Sequence, residues 1–553
     1  MPMGDEYNTV DFISFESDFA PSGGLAAVMR YLPREMARRK QVILITPFFS
    51  KIAKSRDAYS RGDIKFTGLS ASVRYGGKNY PIRILEYHEK INQRIYRIYL
   101  VHSSHFFFAA TDPYVNPGKE DALFDDALFF STAVPEVLRV IPEEAPFILH
   151  LQDWETACVV ELVPEAIPHK CVLTLHNPYD HALVKKDHEM SKNRATRSVD
   201  NTTVLKLTMP KMVGISTVSQ NFADELTTDP LHVRVYAPHL QEILKAKRII
   251  GIENGNFAEV KFPTVSDQVC LKKYKDTRRK ELLSLLSSKP GKKMLEKGWG
   301  FCDLSDTSIP LFLMFGRDDP RQKGYDVAAE SVRRVLIEEG ADYARFVFTP
   351  IPGQNGIESL YFLKKLVDEF AGSTMVFPFR MDVGYMELQS SASYLLMCSL
   401  YEPFGGATEG YANGVPVIAR ATGGLIQQVY PENYRNLPED IKLLVDRYHG
   451  QGRKATGYLF REEGISEPVA DWQGIIRAEY LNKSPPGDPI TSRLAFSLFE
   501  AMIEAAAESI KSAVDLYKNN YYRYEELVKN GLEIVKEFSW QKAANRYVTE
   551  LYK

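Results

Sequence analysis

Cysteine is scarce in this chain of 553 residues. The five cysteines, Cys158, Cys171, Cys270, Cys302 and Cys398, are odd in number and include no C-x-x-C pair. A disulfide scaffold and a structural zinc site are therefore excluded, and a reducing cytoplasmic location is expected. An excess of one charge is also missing. Lys+Arg number 68 and Asp+Glu 71, a formal net charge of −3, which excludes a strongly basic nucleic-acid or membrane surface as the main theme. No apolar run reaches the roughly 18 residues that a membrane-crossing helix needs. Met1-Pro-Met-Gly-Asp-Glu6 has no basic stretch followed by an apolar one, so no secretory signal is expected. Internal repeats and low-complexity tracts are absent. What is present is core material: 44% hydrophobic and 12% aromatic residues, too much for wholesale disorder and enough for two or three domains.

Short apolar runs alternate with helical stretches. Thr9 to Phe15 reads as a strand, followed by a Gly-Gly turn and a helix over Leu25 to Arg39. Gln41 to Thr46, Pro146 to His150, Cys171 to His176, Gly214 to Ser219 and Ile249 to Ile252 read as further strands. This order predicts an α/β domain with a parallel sheet. Between Pro81 and His105 strict alternation predicts an antiparallel excursion. Lys272 to Gly300 is charged and broken by Ser287-Ser-Lys-Pro-Gly291, and reads as a hinge plus a surface helix. Ile309 to Phe315, Ala344 to Thr349, Thr374 to Phe377, Tyr394 to Cys398 and Val415 to Ala419 then predict a second doubly wound domain. A polar insertion covers Tyr430 to Arg493. Ala495 to Leu551 reads as mostly helical, interrupted near Asn519-Asn520.

Doubly wound sheets bind ligands beyond the carboxyl ends of their strands, so the residues there are the candidates. Glu16 through Ser22-Gly-Gly-Leu25 follows the first strand, and glycines opening a helix let an anion approach its N–H groups. Asp153 and His176-Asn177 follow two later strands. In the second half, Gly316 to Gly324 projects Arg317 and Lys323, two cations suited to a diphosphate. Glu402-Pro-Phe-Gly405, Glu409 and Thr422-Gly-Gly-Leu425 follow the next strands. Cations, a carboxylate and Gly-Gly turns together suit a nucleotide-sugar. His102-Ser-Ser-His105 lacks a matching carboxylate and reads as structural rather than as a metal pair.

These residues carry a resemblance. Ser22-Gly-Gly-Leu25, His150-x-x-Asp-Trp154, Thr174-Leu-His-Asn177, Ser216-Thr-Val-Ser219, Gly251-Ile-x-Asn-Gly255, Gly316-Arg through Gln322-Lys-Gly324, Glu402-Pro-Phe-Gly405, Thr422-Gly-Gly-Leu425, Thr456-Gly-Tyr458 and the tail from Phe538 to Tyr552 occur in order. Together they resemble the glycogen and starch synthase family, retaining glucosyltransferases of the GT-B fold. The resemblance implies two Rossmann-like domains facing an interdomain cleft: an acceptor-side domain over 1–265 and a nucleotide-sugar domain over 266–536. A helix over 537–553 is implied to cross back to the first domain.

For function it implies transfer of a glucosyl group, with retention, from ADP-glucose or UDP-glucose to the non-reducing end of an α-1,4-glucan, without nucleic-acid or membrane partners. His176, Asp153 and Glu402 are implied as catalytic. Gly23, Gly24, Arg317, Lys323, Gly405, Glu409, Thr422, Gly423, Gly424 and Leu425 are implied as donor-binding, and Glu16 and Asn177 as acceptor-binding. No cofactor is implied, and with no D-x-D motif in the chain no metal is expected on the diphosphate. The sequence also departs from the family. Ser22 and Ala27 stand where glucan synthases carry Lys and Asp, Phe404 stands for Cys, and the Arg317–Lys323 and Glu402–Gly414 spacings each differ by one residue. Two alternatives stay open: a transferase of the same fold with another acceptor, and a catalytically silent glucan- or nucleotide-sugar-binding protein.

Overall fold

The protein is described by a computed structural model covering residues 9–114, 122–183, 202–260, 262, 270–353, 356–450, 452, 454–478 and 492–553. Two compact units divide the chain. Unit 1 comprises Met1–Gly255 and Ser539–Lys553, and unit 2 comprises Asn256–Phe538. The expected 265/266 boundary lies outside the described residues, as does much of the later part of the polar insertion.

In unit 1 the strands are β1 (Thr9–Ile13), β2 (Gln41–Pro47), β3 (Lys65–Tyr75), β4 (Lys78–Ile91), β5 (Arg94–Ser103), β6 (Phe147–Gln152), β7 (His169–Leu175), the two-residue pair β8 (Ala182–Leu183) and β9 (Thr202–Thr203), β10 (Gly214–Thr217) and β11 (Ile250–Gly251). Among the described residues, nine of them form one sheet in the order β11-β10-β7-β6-β1-β2-β5-β4-β3. The central pairs are parallel, with Ile13 beside Leu151 and Leu151 beside Leu173. β1 is buried along its whole length, as expected of a strand covered on both faces. β3, β4 and β5 pair antiparallel and form the excursion read from alternation, with β3 as an addition. Its second half alternates, with Leu69, Ala71, Val73 and Tyr75 more buried than Ser70, Ser72 and Arg74 between them.

Unit 1 also holds the chain's last helices, Trp540–Arg546 and Tyr547–Leu551. Trp540 stacks on Tyr31 with centroids 5.6 Å apart. A Cβ on Gly255 would lie 2.5 Å from the Trp540 ring, so glycine allows that approach. Tyr552 bonds His150 Nδ1 at 2.8 Å, while His150 Nε2 bonds Thr174 Oγ1 at 2.6 Å. His150 is thus a fully buried clasp for the C-terminus.

Unit 2 contains β12 (Trp299–Cys302), β13 (Leu311–Arg317), β14 (Arg345–Ile351), β15 (Ser373–Val376), β16 (Tyr394–Met397), β17 (Val417–Arg420) and β18 (Gly457–Phe460). Among the described residues they form one sheet, ordered β12-β15-β14-β13-β16-β17-β18. All neighbours are parallel except β12, which pairs antiparallel with β15. Met375, Val347, Leu313, Leu395 and Val417 lie side by side across the strands and belong to one buried core. The stretch read as a hinge and surface helix holds the helices Leu271–Ser287 and Lys289–Leu295 and the edge strand β12. Helices Ser497–Asn519 and Tyr521–Ile534 meet at Asn520, whose side chain caps the second. Among the described residues no helix is long and apolar enough to cross a membrane.

Candidate active site

Each sheet reverses its strand order once between parallel neighbours, at β6-β1 in unit 1 and at β13-β16 in unit 2. Ligand crevices of doubly wound sheets open there. Chain order puts Glu16 just after β1, Asp153 after β6 and His176-Asn177 after β7, three adjacent strands. In unit 2 it puts Arg317 at the end of β13, Glu402 after β16 and Thr422-Gly-Gly-Leu425 after β17, again adjacent.

In unit 1, Asp153 is 3% exposed. Its Oδ1 accepts from the His176 backbone N–H at 2.6 Å and its Oδ2 from the Asn177 side-chain amide at 3.2 Å. Both of its oxygens hold the loop after β7, and with it His176 and Asn177. Asp153 does so at φ 57° and ψ −177°, a conformation costly for a residue with a Cβ, about 1–3 kcal/mol. Burial, with Glu16 nearby, pushes its carboxyl up to about 8 against the loop N–H bonds. Glu155, also buried, is pushed up by burial and by Asp153, and its Oε2 has no hydrogen-bond partner. The His176 ring is driven the other way, down to about 3, by desolvation, so the imidazole is neutral at physiological pH. It bonds the amide oxygen of Gln152 through Nε2 at 2.8 Å.

Glu16, implied as acceptor-binding, makes bonds within the protein. Its Oε2 accepts from the backbone N–H groups of Ser22 at 2.9 Å and Gly23 at 2.8 Å, and its Oε1 accepts from the Tyr114 hydroxyl at 2.7 Å. The carboxylate thus occupies the start of helix Gly24–Ala37. The Gly23 N–H that was expected to face a diphosphate is spent within the protein.

In unit 2, Lys323 Nζ donates to Glu402 Oε2 at 2.7 Å, and Ser399 donates to the same oxygen at 3.0 Å. The side chains are 25% and 7% exposed, so this pair lies at the edge of solvent. Arg317 is exposed at the end of its strand. The second Gly-Gly turn is a packing device. A Cβ on Gly423, at φ +48°, would sit 1.8 Å from the Glu402 carbonyl oxygen, and one on Gly424 would sit 2.4 Å from that of Phe404. Gly424 N–H donates to Glu402 O, and Leu425 N–H to Thr422 O. The Gly424 N–H is thus spent on the Glu402 loop and the Leu425 N–H within its own turn. Thr422 and Leu425 are buried, and Gly405 rests on Leu425. Glu409 is pushed up to about 7 by burial, opposed by Lys323, and Tyr385 is raised by burial and, to a lesser degree, by Glu409.

Sequence reasoning passed over Gln152, Tyr114, Ser399 and Asp318. Gln152 lies inside the His150–Trp154 motif, where its polarity at the end of an apolar strand is a usable signal. Asp318 follows Arg317. Its Oδ2 accepts from Ser359 at 2.7 Å, its Oδ1 is buried without a partner, and burial pushes it up to about 7. Among the described residues no group of three or more His, Cys, Asp or Glu is arranged to hold a metal ion.

The raised Asp153 value makes a stability prediction. The folded state holds this proton more tightly than the unfolded chain, whose value is near 3.8. Its contribution is complete below that value and is lost as pH rises through about 8. Urea unfolding across this window is expected to show stability falling with pH in the wild type. In Asp153→Asn the profile is expected to be offset, because the new amide faces the Asn177 amide, and flatter. Parallel profiles would contradict the assignment.

Comparison with known proteins places this geometry. Residues 9–246 match the starch synthase catalytic domain family. Residues 280–458 match a family described as Family 4 glycosyltransferase in conflict systems. A glycogen synthase of Thermosipho africanus is 23% identical over 98% of this chain and 97% of its own length. One of Bacillus cereus is 26% identical over 74% of this chain and 82% of its own. Among solved structures, the catalytic domain of starch synthase IV from Arabidopsis thaliana, bound to ADP and acarbose, superposes with TM-score 0.68 at 19% identity over 98% of each chain. Sucrose-phosphate synthase from Thermosynechococcus elongatus superposes at 0.53 and 17% identity over 99% of this chain and 98% of its own. The chain is thus similar to glycogen and starch synthases along nearly its whole length, and its fold is that of the GT-B glycosyltransferases.

Proposed function

We propose that this glycosyltransferase moves a glucosyl group, with retention, from ADP-glucose or UDP-glucose to the non-reducing end of an α-1,4-glucan. The observation that carries the reading is the Lys323–Glu402 pair at the strand-order reversal of unit 2. A sugar diphosphate asks for a cation beside a carboxylate: the ammonium faces phosphate oxygen and the carboxylate accepts from sugar hydroxyls. The starch synthase IV structure that holds ADP and acarbose supports the same ligand classes.

In the proposed reaction the bond from the anomeric carbon to the diphosphate oxygen breaks, and its electron pair leaves with the phosphate. The 4-hydroxyl oxygen of the glucan forms the new bond on the same face, and its proton passes to the departing diphosphate. Arg317 and Lys323 stabilise the growing negative charge. Neutral His176 faces the sugar, held in place by Asp153. With two protein cations on the diphosphate and no D-x-D motif, the reaction as proposed uses no metal and occurs in the cytoplasm.

The test is nucleoside diphosphate release from ADP-glucose or UDP-glucose, with and without glycogen or maltooligosaccharides, repeated in EDTA. Release that requires glucan and survives EDTA is expected. Release with a different acceptor only would favour the alternative transferase, to which Ser22 and Ala27 point. Donor binding without any release would sink the catalytic reading.

A further inference from the structure

We propose that Gln152 is a positioning residue: it fixes the His176 ring as the Nε2–H tautomer and thereby presents the Nδ1 lone pair to a hydroxyl of the transferred sugar. The second half of this statement rests on the reading of His176 as the sugar-facing group. The first half stands on geometry alone.

Gln152 ends β6 and is 1% exposed. Its backbone is held on both sides by Thr156: the Gln152 N–H donates to Thr156 Oγ1 at 2.8 Å, and that hydroxyl meets Gln152 O at 2.9 Å. Its side-chain Nε2 donates to the His150 carbonyl at 3.3 Å. That contact decides which way the amide points, because a flipped amide would set oxygen against carbonyl oxygen. Gln152 Oε1 is then the atom 2.8 Å from His176 Nε2. An amide oxygen only accepts, so the imidazole nitrogen facing it must carry the hydrogen. A neutral ring with its proton on Nε2 has an acceptor at Nδ1.

Division of labour follows. Asp153 bonds the backbone N–H of His176 and the Asn177 amide and sets where the residue sits. Gln152 bonds the ring and sets which nitrogen accepts. The titratable group that feels the ring is His150 in β6, and Asp153, bonded to the His176 backbone, is in turn close to Glu16 and Glu155. None has a hydrogen bond to the ring among the described residues.

Nitrogen-15 NMR of histidine-labelled enzyme, with the His176 signals assigned by their loss in His176→Ala, reads the tautomer directly. The expected result is an Nε2–H imidazole in the wild type and loss of that preference in Gln152→Leu. An Nδ1–H ring in the wild type, or an Nε2–H ring unchanged in Gln152→Leu, would overturn the proposal.

Kinetics then test the link to the sugar. Gln152→Leu is expected to lower kcat by about tenfold, one hydrogen bond's worth, with KM for the donor within about twofold and an unchanged melting temperature. Gln152→Glu, nearly isosteric, keeps an acceptor opposite Nε2 but adds a charge that favours the imidazolium. It is expected to keep activity at high pH and to gain an acid limb that the wild type lacks, as Nδ1 takes a proton. A changed tautomer with unchanged kcat, or a Gln152→Glu profile that superposes on the wild type, would overturn the sugar-facing half. An enzyme without transferase activity would remove the functional reading while the NMR result still decides the role of Gln152.

Discussion

His176→Ala is expected to lower kcat by about 10–100-fold, the loss of a hydrogen bond to a group that gains charge in the transition state, while nucleoside diphosphate affinity by calorimetry stays at the wild-type value. The substitution is clean. The backbone N–H of residue 176 still reaches Asp153 Oδ1, and Asn177 still reaches Oδ2, so the loop keeps its anchors and only the ring is lost. The diphosphate groups are assigned to unit 2, which the change does not touch. Loss confined to KM with normal kcat would sink the assignment. A purely structural histidine predicts a lower melting temperature with kcat preserved in the remaining folded fraction, so a melting curve separates the two.

The second large effect is on donor binding. Ser22 supplies no cation where the family carries Lys, and Glu16 already occupies the Ser22 and Gly23 N–H groups. A phosphate brought to that helix start would face a buried carboxylate. On the proposed reading the diphosphate load then falls on Arg317 and Lys323. Each single substitution to alanine is expected to weaken nucleoside diphosphate binding by about 10–100-fold, the range for one charge-assisted bond. The two variants differ in a second readout. Arg317 is exposed, so Arg317→Ala is expected to leave stability unchanged. Lys323→Ala strips the cation from the mostly buried Glu402, leaving only Ser399 on that oxygen, and is expected to lower the melting temperature as well. Affinity in Arg317→Ala within about threefold of wild type, well under the 1.4 kcal/mol per tenfold scale, would show that the diphosphate is held elsewhere.

The sheet cores were legible because parallel strands covered on both faces read as short apolar runs, as in Leu311–Arg317 and Gln41–Pro47. Helix Ser497–Asn519 was legible from its buried Leu498, Met502, Ile503, Ala506 and Ile510 at helical spacing, and its end from Asn519-Asn520. β12 was not: it is an edge strand of only Trp-Gly-Phe-Cys with Phe301 facing solvent, too short to show a period. β3, the other edge strand, does carry an alternation from Leu69 to Tyr75, which sequence reasoning passed over.

At the site, residue types at strand ends were readable, but their immediate partners were not. The bonds of Glu16 to the Ser22 and Gly23 N–H groups were not legible. Nor was the close approach of Gly423 and Gly424 to the Glu402–Phe404 backbone. The pairing of Lys323 with Glu402 joins residues from two loops and needs the sheet order to appear. Gln152 could be noticed as a polar residue ending an apolar strand, but its partner could not, because the ring is brought beside it from the next strand.

The most direct test of the central claim is the anomeric configuration and linkage of the first product. Enzyme, maltooligosaccharide and ADP- or UDP-glucose labelled with carbon-13 at the anomeric carbon are followed by NMR. The account predicts a labelled glucosyl unit joined through an α-1,4 bond at the non-reducing end, appearing as nucleoside diphosphate is released. A β-linked unit, or label recovered only as free glucose, would contradict it.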